Sequence, residues 1–125
     1  MRLLLDTHVL LWWLDDAATL LPAAKEAIVD PGNIIIVSVA SLWEIAIKKT
    51  IGKLELPDDF EEVLSRQGFE FLDVKAGHTF GLGSLPLLHR DPFDRMLVAQ
   101  ARVEGLRIVT RDSRIMSYDV PVLNA

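Results

Sequence analysis

Ile34-Ile35-Ile36-Val37 is the stretch that decides the fold. It is β-branched throughout and apolar without alternation, which marks a strand covered on both faces, as in a parallel sheet. Leu3-Leu4-Leu5 has the same character, and an apolar segment from about His8 to Leu14 follows it. Helical patterns lie between and beyond. Pro22 to Val29 opens with proline and is closed by Pro31-Gly32; a second helix runs from about Leu42 to Ile51 and is stopped by Gly52. Asp58 to Arg66 is an acidic helix closed by Gly68, and Pro92 to Glu104 ends at Gly105. Phe69 to Val74, Leu106 to Thr110 and Val120 to Leu123 supply further strands, while His78 to Leu82 is ambiguous. This alternation predicts an α/β fold in three layers, with a twisted, mostly parallel sheet of four to five strands and helices on both faces.

The chain of 125 residues reads as one domain, spanning residues 1–125. Without cysteine it has no disulfide, no thiol chemistry and no cysteine-bound zinc or iron–sulfur group. The leucine-rich start is broken by Asp6 and His8, and an ionised carboxylate is costly in a signal-peptide core. No apolar run reaches the roughly 20 residues of a membrane helix. A cytoplasmic protein is expected. The net charge of −5 argues against holding nucleic acid by overall field, and leaves room for an enzyme with local basic groups that binds weakly and cuts.

Four carboxylates stand at ends of these elements. Asp6 follows the first strand, and Glu44 falls in the first turn of the helix after the isoleucine run. Asp94 lies in the first turn of the helix opened by Asp91-Pro92, and Asp112 comes two residues after Thr110. In a parallel sheet, all four share the carboxyl edge, where open α/β sheets place their sites. Helix capping explains each one singly. Asp6, Asp91 and Asp112 suit cap positions, and Ser41-Leu42-Trp43-Glu44 has the pattern of a capping box with Glu44 at its third helical position.

Two details favour chemistry. Glu44 is flanked by Leu42, Trp43, Ile45, Ala46 and Ile47, and a carboxylate buried there needs a cation or donors, with Lys48 four residues on as one partner. Asp91 has the cap position and Arg95 one turn away, whereas Asp94 faces Val98 and has no evident local partner. Asp94 is therefore the functional candidate and Asp91 the structural one. A hard divalent ion, Mg2+ or Mn2+, would gather such acids, and it would serve phosphoryl chemistry without a nucleophilic side chain.

The residues also carry a resemblance. Leu3-Leu4-Leu5-Asp6-Thr7-His8, Ser38-Val39-Ala40-Ser41-Leu42-Trp43-Glu44-Ile45, the run from His89 through Asp91-Pro92-Phe93-Asp94 to Ala101, and Val109-Thr110-Arg111-Asp112 together resemble PIN-domain nucleases, in particular the VapC-type toxins of type II toxin–antitoxin pairs. The likeness covers essentially the whole chain. It implies a PIN-domain-like three-layer sandwich and a Mg2+- or Mn2+-dependent endoribonuclease, acting on tRNA or other structured RNA. It further implies a homodimer and a cognate antitoxin. Carried across, the catalytic and metal-holding acids are Asp6, Glu44, Asp94 and Asp112, the last less constant among relatives, and Thr7 and Thr110 supply hydroxyls nearby.

Arg90, Arg95, Arg111 and Arg114 flank the acids and suit either RNA phosphates or a charge-balanced rim. Lys48, Lys49 and Lys53 read as a solvated helix face, and Trp43 as core. Leu10 to Leu14 leaves little polar face, so part of it is expected to meet a partner. His8, His78 and His89 are too scattered for a metal site and receive no chemistry. Rival readings are a phosphatase of the haloacid dehalogenase kind, a DNA nuclease, and a non-catalytic metal-binding receiver or interaction domain. The phosphatase needs a second acid two residues after Asp6, where this chain has His8.

Overall fold

The computed structural model describes all residues from Met1 to Ala125. Along the chain come β1 (Arg2–Leu5), α1 (Thr7–Asp15), a 3-10 turn (Ala17–Thr19), α2 (Pro22–Val29), β2 (Ile34–Ser38), α3 (Val39–Thr50), α4 (Phe60–Ser65) and β3 (Glu70–Leu72). Then follow α5 (Ala76–Leu82), α6 (Pro92–Glu104), β4 (Arg107–Thr110), α7 (Ser113–Met116) and β5 (Val122–Asn124). The strands form one sheet in the order β3-β2-β1-β4-β5, every neighbouring pair parallel. No helix is long and apolar enough to cross a membrane.

The non-alternating runs are explained by cover on both faces. Side chains in a strand point alternately up and down. Leu3, Leu5, Ile35, Val37 and Val109 enter one core with residues of α1 and α2, while Leu4, Ile36 and Ile108 enter a second core with Leu97, Val98 and Ala101 of α6. Leu4 lies wholly buried in the second core. Leu4→Ala is expected to lower stability by about 2–5 kcal/mol, read as a lower urea midpoint at unchanged slope. A loss under about 1 kcal/mol would mean that this face is not sealed.

The connections set the position of the site. From β1 the chain winds to one side through β2 and β3, then α5 and α6 carry it back to β4, on the other flank of β1. The carboxyl ends of β1 and β4 thus flank the point where strand order reverses, the crevice that open α/β sheets use. The register Leu5 to Val109 sets Asp6 level with Thr110, and the Asp6 amide donates to the Val109 carbonyl at 3.1 Å.

Three expectations change. The helix after β2 starts at Val39, with Ser38 as its cap accepting from the Ala40 amide at 3.0 Å. Glu44 is therefore not at the third helical position and closes no capping box with Ser41. The ambiguous segment around His78 to Leu82 is helical, and the acidic helix spans only Phe60–Ser65. Pro92–Glu104 stands as read, ended by Gly105 at φ 68°, a left-handed turn that favours glycine.

Candidate active site

Asp6 caps α1. Its Oδ1 accepts from the Val9 amide at 3.0 Å, and its Oδ2 accepts from the Thr110 hydroxyl at 2.5 Å. Thr110 Oγ1 in turn accepts from the Asp112 amide at 3.0 Å, so one hydroxyl ties the ends of β1 and β4 together. Asp112 caps α7, taking the Arg114 amide at 2.8 Å and the Arg114 guanidinium at 3.2 and 3.3 Å. Partial burial pushes the Asp112 carboxyl up, but the bonds from Arg114 outweigh it and hold the group below its usual range.

Asp94 enters from the first turn of α6. Asp91 caps that helix, accepting from the amides of Phe93 at 2.9 Å and Asp94 at 3.1 Å, which fits its structural reading. The Asp94 carboxylate is not without a partner, however: His89 Nε2 lies 2.8 Å from its Oδ2. Burial, with the like charges of Asp91 and Asp6 added, pushes the Asp94 carboxyl up to about 6 against the pull of that hydrogen bond. One ligand atom each from His89, Asp94 and Asp112 lies within 4.8 Å of the other two.

Glu44, on α3, is 3 % exposed. Lys48 donates to its Oε2 at 2.6 Å, while Oε1 is buried without any hydrogen-bond partner. The bond to Glu44 outweighs burial and, with the charges of Asp91 and Asp94 helping, holds the Lys48 ammonium above its usual range. Lys48 is thus bonded to Glu44 and within the field of Asp91 and Asp94. An orphaned buried oxygen and an acid held near neutrality by burial are features that a bound cation would relieve. Oxygen donors of this kind fit a hard divalent ion.

The remaining candidates separate. Thr110 stands among the acids, whereas the Thr7 hydroxyl turns to α3 and donates to Ser41 Oγ at 2.9 Å. Arg111 is drawn away from the acids: its guanidinium donates to the carbonyls of Thr19 and Ala125, each at 2.6 Å, and lies 4.4 Å from the Trp12 ring centre. Arg95 donates to the Pro86 carbonyl and the Tyr118 hydroxyl, both at 2.9 Å, and does not pair with Asp91. Arg114 is engaged with Asp112, which leaves Arg90 exposed and without a hydrogen bond to the protein.

His89, given no chemistry by the sequence, is the residue that spacing missed. It lies before the cap of α6, outside any helical periodicity, and reaches back over the helix start. Trp43 is not core either: it is 63 % exposed, with only an edge-on contact to Phe93 at 5.3 Å between ring centres. A groove of about 780 Å³ lies elsewhere, between α3, α4 and β3, and is lined by Leu42, Ile45, Phe60 and Phe71 among others. It contains none of the four acids.

Comparison with known proteins agrees with this architecture. The PIN domain family model matches residues 3–121. Ribonuclease VapC22 of Mycobacterium tuberculosis is 30 % identical, over 94 % of this chain and 92 % of its own. Among solved structures, VapBC2 from Rickettsia felis, bound to a DNA fragment from its promoter, superimposes with a TM-score of 0.78 at 18 % identity, covering 99 % of this chain and 98 % of that one. DNA-bound VapBC from Salmonella typhimurium gives a TM-score of 0.69 at 16 % identity, covering 99 % and 98 %. At these identities the two structures speak for the fold.

Proposed function

The chain belongs to the PIN domain family and is related to its VapC ribonucleases, and from that premise we propose that residues 1–125 form a Mg2+- or Mn2+-dependent endoribonuclease, the toxin of a toxin–antitoxin pair. The observation that carries the reading is the meeting of Asp94 and Asp112 with His89 at the reversal of strand order, where Thr110 joins Asp6 to the Asp112 amide and Asp94 feels the charge of Asp6. Asp6 and Asp94 would hold the cation, with Glu44 directly or through water, and Asp112 as a further donor. Such an ion, when bound, makes water more acidic and offsets charge developing on the phosphodiester oxygens.

The protein's own groups prepare that site. Thr110 fixes the Asp6 carboxylate, Lys48 fixes one oxygen of Glu44, and Arg114 fixes Asp112. Arg90, exposed next to the cap of α6, is free to meet an RNA phosphate. The phosphatase reading is not favoured, since position 8 is an exposed histidine. Purified protein incubated with tRNA, other structured RNA and DNA of matching sequence tests the substrate class. Discrete cuts in RNA alone support the reading; cuts in DNA alone would replace it with a DNA nuclease.

We further propose that the protein pairs with itself and with an antitoxin. Val39, Trp43 and Ile47 of α3, with Ile51 at its C-cap, recur at four-residue spacing and are all exposed, an apolar stripe suited to a second copy of the chain. The groove beside α4 would then remain for an antitoxin segment. Trp43→Glu is expected to give a monomer in sedimentation where the parent is a dimer. An unchanged dimer would move the interface elsewhere.

A further inference from the structure

We propose that His89 is a positioning residue that aims Asp94 at the cation, an inference that rests on the metal-site reading above. The His89 ring is almost wholly buried, and its Nε2 meets Asp94 Oδ2 at 2.8 Å. With Asp94 ionised, the shared hydrogen sits on Nε2, so the imidazole donates. Asp94 Oδ1 accepts no hydrogen bond from the protein and is the oxygen left for a ligand. A carboxylate held by one oxygen loses rotational freedom and presents the other in a fixed direction.

The histidine is itself clamped. Its backbone amide donates to the Tyr118 hydroxyl at 3.0 Å, and that hydroxyl also accepts from Arg95 at 2.9 Å. Arg95 further donates to the Pro86 carbonyl at 2.9 Å. The loop that bears His89 is thus tied to Arg95 of α6 and to Tyr118, two residues past α7, the helices whose starts carry Asp94 and Asp112. A ring nitrogen of the imidazole also lies within 4.8 Å of an oxygen of each of these acids. Arg114 engages both oxygens of Asp112, so the free Oδ1 of Asp94 is the oxygen that this arrangement presents. Capping accounts for Asp91 and Asp112, but no element of secondary structure requires a histidine at position 89.

The test compares His89→Ala with His89→Gln, whose amide can donate from nearly the position of Nε2. Manganese binding is measured by calorimetry without RNA, beside kcat and KM for RNA cleavage and a thermal melt. The proposal expects His89→Ala to bind Mn2+ about 10–100-fold more weakly. Its kcat falls at low metal and recovers at high metal, with KM for RNA unchanged, while His89→Gln retains most of the parent's affinity. Unaltered Mn2+ affinity in folded His89→Ala overturns the proposal. So does a His89→Gln protein as weak as the alanine variant, which would make the imidazole a direct ligand. If alanine does not fold, His89→Gln against Tyr118→Phe decides: loss of the clamp should weaken Mn2+ binding, and an unchanged affinity in Tyr118→Phe together with loss in His89→Gln contradicts the account. A parent protein that binds no divalent cation overturns the metal-site reading itself, a different result from any of these.

Discussion

Asp94→Asn abolishes RNA cleavage, with a loss on the order of 10³-fold, while in EDTA it melts at a higher temperature than the parent. The first effect follows from removing a charged donor from an ion that is worth several kcal/mol in the transition state. The second follows from burial. The Asp94 carboxyl is pushed from its ordinary 3.8 up to about 6, so folding disfavours its charged form. Stability from this group is fully present below pH 3.8 and is lost as pH rises through 6. The asparagine's advantage is therefore expected above pH 6 and absent below 3.8, read by thermal melts across that range in EDTA. The amide keeps the shape and a partner for His89, so loss of activity in a better-folded variant separates chemistry from scaffold. A variant that melts lower at pH 7.5 in EDTA would show that the carboxylate supports the fold.

Asp6→Ala has the largest expected effect on stability among the acids. Asp6 caps α1 through the Val9 amide and accepts from the buried Thr110 hydroxyl. Alanine removes the cap, which costs about 0.5–2 kcal/mol. It also strands buried donors, at about 1–3 kcal/mol. Together these lower the melting temperature by about 10 °C. Asp6→Asn keeps an oxygen for the cap and is expected to melt within a few degrees of the parent. Both variants lose cleavage. Equal melting of alanine and parent would mean that the bond across the ends of β1 and β4 holds nothing together.

Much of this was legible in the residues. Runs such as Ile34 to Val37 could only be covered strands, and the proline and glycine around Pro92 to Glu104 marked both ends of α6 correctly. The acids that follow β1 and β4 could be placed because a strand end fixes where its next residue goes. What escaped depended on contacts distant in sequence or outside any period. The start of α3 moved because Ser38, at the end of a β-branched strand, takes the capping role that the pattern offered to Ser41. Trp43 looked like core because its neighbours are apolar, but a helix turns about 100° per residue. Glu44 and Ile45 therefore point inward while Trp43 points out. The contacts of His89 and Arg111 were not legible because loop side chains have no periodicity, and only the fold shows that one meets Asp94 and the other turns to Trp12 and Ala125.

The most direct test of the central claim is a titration of Mn2+ into EDTA-treated, antitoxin-free protein while cleavage of one labelled structured RNA is followed, with Asp94→Asn in parallel. The account predicts no cleavage without metal, activity that rises and saturates with Mn2+ in the parent, and none in the variant at any concentration. Cleavage that persists in EDTA, or that the folded Asp94→Asn performs as well as the parent, would contradict it.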